Sequence, residues 1–546
     1  MFAVVVCAVG LPGSASAADI VKADNTTSLV SGGSWVGGVA PTSIDTAVFN
    51  GTYTQAGTLG TGAALSYLGL EVTTGPTTIN INNTTANNHI ELGTGGLDMS
   101  TATRSLIIQS FNVGADQTWN VNGGQSFTVG GTKFAGGGNI IKSGAGTATI
   151  DGNNTHSGTY TVSGGTLELR KGAITNNRVY GPIAAGATLE FNVTSGTRNS
   201  QSTNLSGGGT FRKTGAGTYA VFSVSSSMNF GGSGLIDIQA GTFDYGAASP
   251  GNWSSNLADM QVNSGATFQG EATSIRIDAL NDGTSGGGTV RIGGISASTA
   301  GLTIGANGGS GSFSGTISNA GTGNQFTLEK IGAGTQILSG ANSYTGGTTI
   351  TQGTLYAQNA SALGSGSVTL NGGRLQTNVD LTNAIILNNT ANQISPNHHY
   401  RELSGQISGA GGFTLSSGGG TPGLSLSNTA NNFAGNVTIN AGTFLRTLNS
   451  EVIPDTASIT NNGNLRLDTP GGGTETIAGL SGSGSVWVPT SNNNLQTLRV
   501  GAGDTASTFV GTLGAIGQNN NFLALTKIGN EKFTLTNSGN RFRGGV

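Results

Sequence analysis

Apolar and small polar residues alternate along this chain in short bursts that glycine and asparagine interrupt. "IKSGAGTATIDG" from Ile141, "TYTVSGGTLEL" from Thr159 and "TTITQGTLYA" from Thr348 each hold only a few alternating positions before a Gly or Asn. Alternation over so few residues predicts short strands with one buried face. The Gly, Ser and Asn clusters predict tight turns between them. No stretch places apolar residues at helical spacing, so the expected class is all-β.

The bursts recur. "IKSGAGTATIDGNNTHSGTYTVSGGTLEL" (Ile141 to Leu169) returns as "EKIGAGTQILSGANSYTGGTTITQGTLYA" (Glu329 to Ala357). Aligning Lys142 with Lys330 pairs Gly144 with Gly332, Gly146 with Gly334, Asn154 with Asn342 and His156 with Tyr344. Looser copies start at Lys213 and Lys527. A finer step lies inside the long one. Gly146 to Gly165, Gly165 to Gly186, Gly241 to Gly265, Gly353 to Gly373 and Gly442 to Gly463 are all 19–24 residues apart. That is about one coil of a parallel β-helix, and a single coil cannot bury its apolar side without a neighbour. A parallel β-solenoid, expected right-handed, follows. In it Ile150, Val162, Leu167, Leu338, Ile350 and Leu355 should form inward ladders. Asn154 and Asn342 should sit at turns, and the Gly pairs should supply positive φ at corners.

Composition sharpens this picture. Gly is 96 of 546 residues, charged residues are 9% and the net charge is −3. Low charge with 35% hydrophobic residues disfavours disorder. The 22 Lys and Arg leave no electrostatic footprint for nucleic acid. The single Cys, Cys7, lies in the apolar N-terminal stretch Phe2–Leu11 ahead of Ala15-Ser16-Ala17. This stretch reads as a secretory signal peptide cleaved after Ala17; it lacks a basic n-region, and a buried first strand is the competing reading. Without Cys7 the chain has no thiol for a disulfide, a zinc site or a nucleophile.

Lys-x-Gly-Ala-Gly-Thr, then Gly-x-Asn-x-Tyr-x-Gly, then Gly-Thr-Leu, resembles the autotransporter-associated β-strand repeat of bacterial passenger domains. Lys142–Leu169 and Lys330–Leu355 carry the resemblance best, and Lys213–Phe243 and Lys527–Gly545 in part. It implies an exported, surface-displayed β-helix and a partner translocator in the outer membrane. No barrel is legible before Val546, so the chain reads as a passenger cut within a repeat. The expected organisation is a signal peptide at 1–17, an N-terminal cap at 18–50 and the β-helical passenger at 51–546.

Candidate chemistry is sparse. Glu168 and Glu190 follow the Leu of consecutive Gly-x-Leu steps; in register their carboxylates would lie about 5 Å apart, as in a retaining glycosidase. The plainer reading is a solvated outer edge. "SPNHHYREL" from Ser395 offers His398, His399 and Glu402 as a metal set only if the segment is a turn. "GTSGG" from Gly283 fits a nucleophile elbow, which also needs a following helix and a His partner. Trp35, Trp119, Trp253 and Trp487 could stack on sugars, but core packing is the simpler role. No catalytic, cofactor or metal residue is therefore assigned. The expected protein is a monomeric, non-enzymatic surface protein that adheres through displayed loops to a glycan or protein. A polysaccharide lyase or glycoside hydrolase on the same scaffold is the alternative.

Overall fold

The structure is a computed structural model and describes residues 17–546, except 83–86, 153, 171–179, 201–202, 223–224, 247–251, 271–273, 294–298, 322, 324, 399, 421, 515–516, 520–521, 544 and 546. The signal-peptide reading of residues 1–17 falls almost wholly outside the described residues. The chain divides into two compact units, Met1–Val221 and Phe222–Val546. Each is a parallel β-solenoid. Apart from a 3-10 turn at Gly32–Ser34 and a 3-10 residue at Phe522, the described secondary structure is β throughout.

In the first unit the strand Thr147–Asp151 stacks on Thr166–Arg170, which stacks on Thr188–Asn192 and then Thr210–Thr214, all parallel. A second face stacks Gln117–Val121, Ile140–Ser143 and Tyr160–Val162. The parallel ladder already includes Asp19–Val21, which pairs with Thr46–Phe49. In the second unit Thr335–Leu338, Thr354–Ala357, Arg374–Thr377 and Gln393–Pro396 repeat the arrangement. Only parallel strands can pair in this way when each returns after one full coil.

Stacked partners such as Thr147 and Thr166, or Thr335 and Thr354, are 19 residues apart. Others exceed the expected 24: Thr289 pairs with Thr316, and Ser485 with Thr512, each 27 residues on. Strand lengths stay short in these coils, so the extra residues lie in the turns, which tolerate insertion at little entropic cost.

The six aliphatic residues expected inside are all buried, none more than 1% exposed. Their ladders are not purely aliphatic, however. Val162 stacks on Lys142 and Ile350 on Lys330, while Leu355 stacks on the buried Gln336. The first unit adds an internal aromatic run: Phe134, His156, Tyr160, Tyr180, Phe191 and Phe211 succeed one another at ring-centroid distances of 5.0–6.2 Å.

The corners explain the glycines. Gly165 has φ +60°, and a Cβ there would lie 2.3 Å from the Gly146 carbonyl oxygen and 2.5 Å from that of Gly144. Gly353 repeats this against Gly332 and Gly334 at 2.3 and 2.5 Å, with φ +68°. Positive φ and close backbone approach from the coil below thus coincide at one position. The turn asparagines also take the expected positions. Asn154 accepts from the His156 amide at 2.9 Å, closing its own turn. Asn342 bridges coils, accepting from Ile317 N at 2.8 Å and donating to Ala362 O at 2.6 Å.

Candidate functional site

Glu168 and Glu190 do stack in register. Glu168 is buried rather than on a solvated edge, because neighbouring side chains close over it. Its carboxylate accepts from Thr149 Oγ1 at 3.1 Å, Arg170 Nε at 2.6 Å and Asn192 Nδ2 at 2.9 Å. Burial pushes its carboxyl up, but the bonds from Arg170 and Asn192, the Arg170 charge and the Thr149 bond outweigh it, so the group is held below the ordinary carboxylate range. A glycosidase acid needs the opposite shift. Glu190 accepts from Thr214 Oγ1 at 2.7 Å and faces Arg212 Nη1 at 4.0 Å. The pair is therefore part of an ion-pair and hydrogen-bond ladder between coils.

His398 is exposed, with φ +70°, and His399 lies outside the described residues. Glu402 accepts from Ser427 Oγ at 2.5 Å and is tied through its backbone N–H to Asp380. Among the described residues no cluster of three or more His, Cys, Asp or Glu could hold a metal ion. The segment Gly283–Gly287 is a tight turn closed by a Gly283–Gly286 bridge, between strands Leu280–Asp282 and Thr289–Ile292. A strand follows it, not the helix that a nucleophile elbow requires.

All four tryptophans are buried, in line with the packing reading. Trp35 donates from Nε1 to Leu29 O at 2.8 Å, and Trp119 to Gln117 Oε1 at 3.2 Å.

The lysine that opens each repeat has a role that the sequence reading missed. Lys142, Lys213 and Lys330 are essentially unexposed. Each turns its Nζ onto the carbonyls of the next two residues: Ser143 and Gly144, Thr214 and Gly215, Ile331 and Gly332. Lys142 and Lys330 also reach the adjacent coil, at Gly164 O and Gln352 O. Lys527 repeats the contact with Ile528 and Gly529, although it is exposed. A buried ammonium thus donates to the carbonyls of the Gly corner and draws them together. Burial pushes the amines of Lys142, Lys213 and Lys330 down to about 8. Strand parity carried the signal: Ile140 and Lys142 flank Ile141, which is 44% exposed, so the lysine shares the inward side with Ile140.

Parallel coils stacked in register, with glycine corners held by a buried lysine, define a repeat-built parallel β-solenoid. The comparisons with known proteins agree. The passenger-associated-transport-repeat family matches residues 140–169, 328–357 and 525–546. Each match contains one of these corner lysines, and Lys213, outside the matches, makes the same contact. The chain is similar to the adhesin BmaC autotransporter of Brucella suis biovar 1 (strain 1330), at 33% identity over 168 residues. That alignment takes in 28% of this chain, and the chain spans only 5% of that relative's length. No solved structure matches the chain. The chain thus carries passenger-associated transport repeats at three places, within a fold that suits a passenger-type autotransporter repeat protein.

Proposed function

We propose that this chain is the displayed, non-catalytic body of an exported passenger and that it adheres to other surfaces through its outward columns and turns. The observation that carries this reading is the contrast between the two sides of one stacked sheet. The inward column Ala148, Leu167, Leu189, Phe211 stays apolar. The adjacent outward column Thr149, Glu168, Glu190, Arg212 is polar throughout and changes chemistry at two of its three steps. Such a scaffold keeps its core and varies its surface, as an extended binding body requires. Catalysis instead needs a preorganised group of titratable residues with matched pKa values. The similarity to a protein named as an adhesin supports the same reading.

On this proposal residues 1–17 direct export and are removed, 18–50 cap the first coils and 51–546 form the monomeric passenger body. An outer-membrane translocator is its transport partner, and the cell surface is its location. The test is adhesion of beads coated with residues 18–546 to epithelial cells, beside a turnover screen on neutral and acidic glycans. Adhesion without turnover is expected. Turnover that is lost on Glu168→Gln or Glu190→Gln would establish the hydrolase alternative instead.

A further inference from the structure

One outward column in the second unit differs from the rest. The strands Gly423–Leu426, Phe444–Thr447, Asn464–Leu467 and Ser485–Trp487 stack so that Arg446, Arg466 and Trp487 occupy one column in consecutive coils. Tyr400, from a preceding coil, lies against both arginines. The Arg446 guanidinium is 5.5 Å from its ring centroid and that of Arg466 5.0 Å, and Arg466 is also 5.5 Å from the Trp487 ring. Asp468 is the shared anion. Its Oδ2 accepts from Arg446 Nε at 2.8 Å, Arg446 Nη2 at 2.6 Å and Arg466 Nη2 at 2.7 Å, and its Oδ1 from Asn492 at 3.0 Å.

The stack and the shared carboxylate hold both guanidiniums in place. What they leave over is charge and donors. Two fixed cations stand against one carboxylate, on a chain whose net charge is −3. The buried Arg466 Nε has no acceptor among the described residues. The Arg446 side chain is 28% exposed and that of Arg466 16%. Arg446 gives Nε and Nη2 to Asp468 and Arg466 gives Nη2, so each offers a ligand its remaining edge; a guanidinium suits a carboxylate, and holding it rigid in advance lowers the ordering cost of binding. The arginines repeat at the coil spacing of about 4.8 Å, so the ligand that fits is a polymer carrying an anion on successive units.

We infer that the Tyr400–Arg446–Arg466–Trp487 column is a binding site for a carboxylated polysaccharide, with the arginines taking carboxylates on neighbouring sugar units. The inference rests on the surface-adhesion reading and names its ligand class. The test is titration of residues 18–546 with polygalacturonate, its methyl ester and dextran sulfate, followed by calorimetry and tryptophan fluorescence. Polygalacturonate should bind, weaken as NaCl rises and change the Trp487 signal, with Trp487→Phe removing that change. Arg446→Gln and Arg466→Gln should each bind at least tenfold more weakly. Arg466→Lys, which keeps the charge and loses the fork, should also bind more weakly than the parent chain. Urea midpoints distinguish lost binding from lost folding. Should a glutamine variant misfold, the salt dependence and the Trp487 signal of the parent chain decide the matter. Equal binding of the ester, binding of dextran sulfate alone, or undiminished binding by folded glutamine variants would overturn the site. Cell adhesion that survives those variants would leave the adhesive role standing without it; no adhesion by the parent chain would remove that role itself.

Discussion

Replacing Gly353 with alanine should destabilise its coil far more than the same change at Gly442, although both glycines have positive φ (+68° and +78°) and both precede a strand on the Gly-Thr step. The shared part of the cost is the left-handed backbone, about 1–2 kcal/mol for a residue with a Cβ. At Gly442 nothing lies within 4 Å of the added carbon, so that strain is the whole effect. At Gly353 the carbon would meet the carbonyl oxygens of Gly332 and Gly334 at 2.3 and 2.5 Å, inside the 3.0 Å that real Cβ atoms respect. Those oxygens cannot simply retreat. A Cβ at Gly332 would itself meet Gly305 O at 2.2 Å, and Lys330 holds the Gly332 carbonyl at 2.8 Å. Overpacking of this kind adds about 1–3 kcal/mol. The expected totals are about 1–2 kcal/mol for Gly442→Ala and about 2–5 kcal/mol for Gly353→Ala. Urea unfolding gives the overall loss. Amide exchange of the strand Thr354–Ala357 gives the local one, which matters because stacked coils open separately. Gly353→Asn divides the two causes, since asparagine tolerates the left-handed region but still carries a Cβ. Rescue by Asn, or equal losses at Gly353 and Gly442, would refute the contact between coils as the reason for glycine.

Four further outcomes follow. Ile350→Asp buries a carboxylate on the inward ladder between Leu370 and Lys330, whose ammonium is already bound to backbone carbonyls, and should cost several kcal/mol; an unchanged urea midpoint would show that Ile350 does not face the core. The corner lysines should make stability rise with pH between about 8 and 9.5. Their folded pKa of about 8 lies below the unfolded 10.5, so the unfolded state binds more protons in that window, and each lysine contributes a slope approaching 1.4 kcal/mol per pH unit. Lys330→Met should lower that slope by one lysine's share, and at pH 7 should leave the carbonyls of Ile331, Gly332 and Gln352 without their donor; a slope equal to that of the parent chain would count against the clamp. N-terminal sequencing of secreted protein should begin at Ala18, and recovery of an intact Met1 form would exclude the proposed cleavage.

The coil itself was legible in the amino-acid order, because every coil solves the same packing problem with the same residues. The 19–24-residue step and the alternation around Ile150 and Ile350 are local features, and they sufficed for a parallel solenoid with those residues inside. The corner glycines were legible for the same reason, since positive φ and a crowded turn recur in each copy. Lys142 lay within reach of that reasoning, since strand parity puts it inward. What it does there depends on the carbonyl of Gly164, which only stacking brings beside it. Glu168 shows the limit more sharply. Its neighbours in sequence suggest an open edge, yet Thr149 and Asn192, from the coils on either side, help to bury it and hold it ionised. The Tyr400–Arg446–Arg466–Trp487 column lies further beyond local reading. Its members come from different coils, and turns that lengthen some coils to 27 residues prevent a fixed period from showing which of them meet. Repetition along the chain therefore determined the fold and its inner face. The partners of each outward side chain were decided by register and turn length, which only the stacked structure sets.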